Sequence, residues 1–266
     1  MPELPEVENV VRRIKPVIVG KTIERVAVSW VRTLGGISAN KFSSLTVGKT
    51  ISAVSRRGKY ILIELAPEGF LVVHLRMSGD LLLDDFDSER DKHLRVALYL
   101  SSAHALRFID ARKFGRFSYH ENLTQLLERL GPEPIDRDLD VLKFCQRLKT
   151  TRRPIKTILL DQQWVAGLGN IYVLETLWRA EINPRIPANK ISRGRVEKML
   201  RLAGEVLREA IESHGTDLGD GVWKTGTFVP QIYGRVGEPC LRCATLIKKI
   251  RLAQRGTEYC PRCQSR

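Results

Sequence analysis

The 266-residue sequence has no apolar run approaching the roughly 18 residues that cross a bilayer, so no membrane-spanning helix is expected. Its acidic opening lacks the basic and apolar regions of a signal peptide, and an intracellular, cytoplasmic protein of bacterial type is expected. Cysteine is nearly missing from most of the chain. Cys145 stands alone, and the other four fall within the last 27 residues. That distribution argues against a disulfide framework, and in an intracellular chain the terminal cluster reads as metal ligands. Internal repeats, low-complexity tracts and a long linker are absent, which excludes solenoids and arrays. No basic amphipathic helix carries Trp or Phe on its apolar face, so binding to a membrane surface is disfavoured.

Positive charge is abundant. Lys and Arg number 44 against 30 Asp and Glu, giving a net charge of +14 and a pI near 9.8. The balance points to a polyanion, most simply DNA or RNA, although a merely basic soluble protein has the same arithmetic. Hydrophobic content of 43% is ordinary for a globular chain, and the length accommodates two domains.

The chain opens Met1-Pro2-Glu3-Leu4-Pro5-Glu6-Val7-Glu8. One reading is a helix start. Pro5 suits a first turn, and glutamates suit the positive helix end. Val7, Val10, Val11, Ile14 and Ile18 then recur on one face, with Pro16 and Gly20 closing the segment. A second reading accounts for Pro2. A proline in second position normally allows removal of Met1, which makes Pro2 a terminal secondary amine. Its ordinary pKa of about 8 leaves a neutral fraction at pH 7, and the helix dipole increases that fraction. Such an amine can attack a sugar C1′ to give an iminium that acidifies the neighbouring carbon for β-elimination. Glu3 is the adjacent proton donor and acceptor, and Glu6 the carboxylate that positions the amine.

Between Lys21 and Tyr119 short β-rich runs predominate. Tyr60–Leu65 and Phe70–Leu75 flank a turn at 66–69, and Arg95–Leu100 and Ala105–Ile109 flank another at 101–104. Two hairpins and a β-sandwich are predicted. The charged run from Asp84 to Asp91 reads as a solvated loop. A boundary falls near Gly131-Pro132-Glu133-Pro134. Beyond it helices are predicted over Val141–Thr150, Pro154–Leu160, Ile171–Ala180 and Ser192–His214, the last ending at Gly215. Asn170 is expected as the N-cap after the Gly167-Leu168-Gly169 turn, where free N–H groups can meet a phosphate or simply join two packed helices.

Cys240-x2-Cys243 and Cys260-x2-Cys263 have the spacing of a closed four-cysteine site for one structural zinc. The sixteen residues between the pairs can form a β-hairpin carrying Lys248, Lys249, Arg251 and Arg255. That hairpin reads as a phosphate-docking finger or as a zinc ribbon with a basic solvated face.

The opening octet together with the zinc spacing resembles the formamidopyrimidine-DNA glycosylase family, and the resemblance runs in order along the whole chain. It implies an α+β protein. The expected domains are an N-terminal helix plus β-sandwich catalytic domain (1–130), a helical domain with a helix–two-turn–helix element (131–228) and a zinc finger (229–266). It implies a monomeric glycosylase and AP lyase acting on double-stranded DNA that contains oxidised purines or abasic sites, with Pro2, Glu3, Glu6, Lys59 and Arg255 as the catalytic set. Lys59 corresponds to a residue aimed at the phosphate near the flipped nucleotide, His74 to another phosphate contact, and Asn170 to a contact on the damaged strand. Arg255 corresponds to a residue holding phosphates beside the lesion, and Tyr233 and Lys249 to further phosphate contacts. Met77, Arg112 and Phe114 correspond to the triad that fills the gap left by an everted base. Leu4 fits the purine branch rather than the endonuclease VIII branch, which usually has glycine there. The glycine-rich loop from Gly219 to Thr227 departs from the family pattern. It is shorter and contains Trp223, which bears on lesion preference. Three rivals stay open: a pyrimidine-directed glycosylase, a damage-binding protein without turnover, and a zinc-ribbon RNA-associated protein.

Overall fold

The computed structural model describes residues 1–85, 91–102, 104–136, 139–217 and 226–265, and these fall into two compact units, 1–128 and 129–217 with 226–265.

The first unit opens with helix α1 (Leu4–Ile18), whose buried stripe is the predicted one: Leu4, Val7, Val10, Val11, Ile14 and Ile18. Pro16 does not end it. The helix runs two residues further, because a proline in the last turn removes only one helical hydrogen bond, and Val19 N–H still closes onto the Lys15 carbonyl. Strand β1 (Ile23–Val28), a 3₁₀ turn (Val31–Leu34) and α2 (Ala39–Thr46) follow. Then come β2 (Thr50–Arg57), β3 (Tyr60–Ala66), β4 (Phe70–His74), β5 (Gly79–Asp85), β6 (Leu94–Leu100), β7 (His104–Asp110), β8 (Arg116–His120) and the short helix α3 (Thr124–Leu127). All strand pairs are antiparallel, in two four-stranded sheets ordered β1-β6-β7-β5 and β2-β3-β4-β8. Both predicted hairpins form, with Ile61 opposite Val73 and Leu98 opposite Leu106. The two sheets and α1 share one core containing Ile14, Ile61, Leu71, Leu98, Phe108 and Phe117. Burying a side chain of that size stabilises the fold by about 1.5–3 kcal/mol. Within the Asp84–Asp91 run, β5 extends through Asp85 and Asp84 pairs with Arg107 at 3.6 Å; residues 86–90 lie outside the described residues.

The second unit holds α4 (Val141–Lys149), α5 (Ile155–Leu160), α6 (Asn170–Arg179), α7 (Arg193–Glu212) and the hairpin strands β9 (Lys248–Leu252) and β10 (Arg255–Tyr259). Asp140 caps α4 by accepting from Lys143 N–H at 2.9 Å. The chain leaves α7 through left-handed His214 and Gly215, the Gly215 N–H closing onto the Ala210 carbonyl. Helix α6 is buried from Ile171 through Trp178. Its Leu174 and Trp178 share a core with Ile232, Cys240, Ile247 and Cys260, so the helical and cysteine-bearing segments pack as one body. Inside α6, Glu175 is fully buried. Its Oε1 accepts from the backbone N–H groups of Ile232 and Tyr233 at 3.0 Å each, and its Oε2 from Gln231 at 2.9 Å. Burial raises its pKa, opposed by those three bonds. Glu175→Gln replaces one acceptor oxygen with a donor and strands at least one buried N–H. It is expected to lower stability by about 1–3 kcal/mol in urea denaturation; a change within a few tenths would remove the anchoring role.

Candidate nucleic-acid interface

In the first unit, Pro2 and Glu3 precede α1 directly and both are buried. Glu3 is 2% exposed and Glu6 is 1% exposed. Glu6 Oε2 accepts from Glu3 N–H at 2.8 Å, and the Glu3 carboxylate accepts from the Glu6 N–H, completing a capping box. The box fixes the backbone around Pro2 and holds two carboxylates beside it. From the same helix, Glu8 accepts from Arg56 Nε at 3.0 Å, and Arg56 Nη1 donates to the Gly58 carbonyl at 3.1 Å. This relay orients the tight β2–β3 turn that carries Lys59, itself 7% exposed.

Strand β4 ends at His74, whose ring meets Tyr60 edge-on at 4.7 Å. His74 Nδ1 accepts from Arg76 N–H at 3.0 Å, so a neutral ring carries its proton on Nε2. Burial first, then the charges of Arg76 and Lys59, pull its pKa down to about 3. A neutral Nε2–H can donate to a phosphate without changing charge over the physiological range.

The expected gap-filling triad comes from two loops that one carboxylate ties together. Asp110, fully buried at the end of β7, accepts from Ser78 Oγ at 2.6 Å, Arg112 N–H at 3.2 Å and Gly115 N–H at 2.7 Å. Ser78 follows Met77, so Asp110 holds both the Met77 turn and the Arg112–Phe114 turn. Gly79 is required there, since a Cβ would lie 2.5 Å from the Leu75 carbonyl oxygen. Met77 is 38% and Phe114 52% exposed, unusual for large apolar residues, and the Arg112 guanidinium lies 5.2 Å from the Phe114 ring.

In the second unit, Asn170 is not the N-cap. Gly169 takes that position in extended conformation and Asn170 is the first helical residue. Its Nδ2 donates to the Gly256 carbonyl at 3.3 Å. The same carbonyl accepts from Lys156 Nζ at 2.9 Å, and Lys156 also donates to Thr257 Oγ1 at 2.7 Å. Asn170 is thereby bonded to the residue after Arg255, and the two expected phosphate ligands share one clamp. Lys156 is fully buried, and desolvation draws its pKa down to about 8 against the raising influence of Glu258. Lys249 sits opposite Glu258 and pairs with it at 3.4 Å, so it has a carboxylate partner as well as an exposed position. The backbone of Tyr233 is set by Glu175.

The four sulfurs of Cys240, Cys243, Cys260 and Cys263 lie within 4.8 Å of one another, with Cys240–Cys263 at 3.9 Å and Cys243–Cys260 at 3.5 Å. A tetrahedral ion with bonds of about 2.3 Å needs sulfurs roughly 3.8 Å apart, so the set fits one zinc. Hydrogen bonds from Thr245 bring Cys243 down to about 6, whereas burial and the neighbouring sulfurs push Cys263 up. Four thiolates this close require a cation. When bound, zinc supplies a cross-link and, with its shell closed, no open position for chemistry.

Asp110, Ser78, Glu175, Lys156 and Arg56 are not among the site residues that the sequence predicts. Only Lys156 left a readable signal there: a lone lysine within the apolar run Ile155–Leu160. The glycine-rich loop at 219–227 lies outside the described residues except for Gly226 and Thr227.

The ring geometry of His74 sets a test. Between pH 8 and 5 its imidazole is expected to show no titration in nitrogen–proton correlation spectra, with the proton on Nε2 throughout. Because the folded pKa lies below the unfolded value, the associated stability is complete above about pH 6.5 and is lost as pH falls toward 3. Lys59→Met is expected to raise the pKa only modestly, since burial is the larger cause. A midpoint near 6.5 in the native protein would refute the neutral-donor assignment.

Comparison with known proteins agrees along the chain. Residues 1–117 match the formamidopyrimidine-DNA glycosylase N-terminal domain, 130–220 the formamidopyrimidine-DNA glycosylase H2TH domain, and 237–266 the zinc finger found in FPG and IleRS. A formamidopyrimidine-DNA glycosylase of Enterococcus faecalis is 39% identical over 273 residues, spanning 99% of this chain and 97% of that protein. One from an Exiguobacterium species is 42% identical over the whole of both. The Lactococcus lactis Fpg bound to abasic-site DNA superposes with a TM-score of 0.93 at 36% identity, covering all of both chains. The same figures hold for a MutM complex with DNA containing carbocyclic 8-oxo-G. With the N-terminal motif, the clamped helix turn and the four-cysteine hairpin in place, the chain belongs to the formamidopyrimidine-DNA glycosylase family, DNA glycosylases with AP-lyase activity.

Proposed function

We propose that this chain excises oxidised purines, 8-oxoguanine and formamidopyrimidines, from duplex DNA and cleaves the resulting abasic strand through an imine on Pro2. The observation that carries the reading is the buried Glu3–Glu6 box beside Pro2. With Met1 removed, the Pro2 nitrogen attacks C1′, the bond from C1′ to the base breaks, and the departing base takes a proton. Loss of the amine proton and ring opening leave the iminium. Removal of a C2′ proton then breaks the C3′–O bond, and a second elimination breaks the C5′–O bond. Water releases the sugar fragment, leaving a one-nucleotide gap with phosphate ends. Glu3 shuttles these protons, and Glu6 holds the backbone that positions the amine. Met77 and Phe114 fill the space of the everted nucleotide, and Arg112 satisfies the orphaned base edge. Lys59, the Nε2–H of His74, Asn170, Tyr233, Lys249 and Arg255 take phosphates. Leu4 and the Met–Arg–Phe set favour the purine branch over a pyrimidine-directed enzyme.

Borohydride reduction of the protein on a duplex with 8-oxoguanine opposite cytosine is expected to trap DNA covalently on Pro2, mapped by mass spectrometry. Pro2→Gly, which keeps a terminal amine but a primary one, is expected to trap less. Trapping only on an abasic duplex would leave the lyase and refute purine excision. Trapping on neither duplex would favour a damage-binding protein without turnover.

A further inference from the structure

Beside the wedge loops, wholly within the first unit, lies an open groove of about 620 Å³. Its walls include Trp30, Arg32, Arg112, Lys113, Phe114 and Arg116, with no carboxylate in the lining. Among the described residues no carboxylate forms an ion pair with Arg32, Lys113 or Arg116. The groove is built rather than incidental. Lys113, left-handed at φ +60°, brings its Nζ to 4.3 Å from the Trp30 ring, and Arg32 lies over the same ring at 5.6 Å. Arg116 Nη1 donates to the Arg32 carbonyl at 2.7 Å, fixing the 3₁₀ turn against the edge strand β8.

Register places this groove relative to the first-unit phosphate residues. Tyr60, next to Lys59, stands opposite His74, and His74 stands opposite Arg116. Each step crosses one strand, about 4.8 Å, so Arg116 lies about 10 Å from the Lys59 turn, and the groove extends beyond it. That separation is comparable with a duplex groove, roughly 6–12 Å wide. The wedge residues Arg112 and Phe114 form its near wall.

We infer that the Trp30–Arg32–Lys113–Arg116 groove is a docking site for the DNA strand opposite the lesion, holding its phosphates beside the gap. The inference rests on the duplex-repair reading above. Arg32, Lys113 and Arg116 meet a polyanion, and the half-buried Trp30 offers a ring face to a base or sugar displaced by the wedge. An acidic protein segment would meet the same charges, but it would not account for continuity with the wedge.

The test uses the full chain and a duplex carrying a tetrahydrofuran abasic analogue opposite cytosine. Single phosphates of either strand are replaced by neutral methylphosphonates. Wild-type protein is expected to lose about tenfold in affinity at one or two positions on each strand. In the double variant Arg32→Gln, Lys113→Asn, affinity for the unmodified duplex should fall about tenfold or more. The slope of log affinity against log salt should flatten by about 1.8, two contacts at about 0.9 each. Asparagine tolerates the left-handed backbone at 113, and neither position is buried. The opposite-strand penalty should vanish in the variant and the damaged-strand penalty should persist. Retention of the opposite-strand penalty and the full salt slope would overturn the inference and point the groove toward an acidic protein. Loss of both penalties, unrestored by Arg32→Lys with Lys113 intact, would also overturn it as a general charge effect. If wild-type protein fails to trap on Pro2 with any damaged duplex, the repair reading itself falls. Normal trapping with an unaltered variant removes the groove alone.

Discussion

Four buried carboxylates accept from backbone N–H groups, and the architecture of the proposed site follows from those bonds. Glu6 with Glu3 fixes the N-terminal turn, Asp110 fixes both wedge loops, and Glu175 fixes residues 231–233. A chain of net charge +14 has few carboxylates to distribute. Pairing them with Arg and Lys at the interface would stabilise the free protein and weaken its attraction for phosphate. Bonding these four to backbone amides orders the loops that carry them, whereas Glu258 pairs with Lys249 across the hairpin. Charge-assisted bonds to N–H groups contribute about 1.5–3 kcal/mol each, enough to hold a short loop without an extensive apolar core beneath it.

The contrast with the surface of α7 makes the division plain. Arg193–Glu197 and Arg201–Glu205 are helical pairs between largely exposed partners, and such pairs contribute a few tenths of a kcal/mol. They adjust solubility and helix propensity. The buried groups define geometry, and breaking one strands a desolvated partner. Lys156 belongs with them. Its side chain is buried and its ammonium is bonded to the Gly256 carbonyl and the Thr257 hydroxyl, so the hairpin carrying Arg255 is set by the same helix pair that presents Asn170.

Legibility in the sequence follows the range of each interaction. The cysteine knuckles, the stripe of α1 and both hairpins are encoded within a few residues, and they stand where the sequence predicts. The Ser78–Asp110 bond spans 32 positions, Glu175–Ile232 spans 57 and Lys156–Gly256 spans 100. No local pattern announces such pairs, because a buried Asp at a strand end looks like any turn residue until its partners are known. Asn170 is a subtler case. Its residue type favours an N-cap, but Gly169 can adopt the extended cap conformation equally well, and the asparagine amide is drawn to the hairpin carbonyl instead. Pro16 is read as a stop by propensity, yet in a final turn its cost is small enough for the buried Ile18 to prolong the helix.

His74 shows how burial, reinforced by neighbouring cations, keeps a ring neutral. Lys59 and Arg76 act on the same buried ring, and a third positive charge there would be repelled as well as desolvated. The ring therefore stays uncharged and offers a directional donor where its neighbours offer charge. The two kinds of contact respond differently to conditions. Cations gain affinity from released counterions and lose it as salt rises, whereas a neutral N–H keeps its contribution. On the proposed phosphate roles, the lysines and arginines attract DNA from a distance, and the neutral His74 donor near Lys59 and Arg76 keeps a fixed point of registration when salt screens them. Registration matters here because the chemistry assigned to Pro2 requires C1′ to arrive within bonding reach, a constraint on position that net charge alone cannot impose.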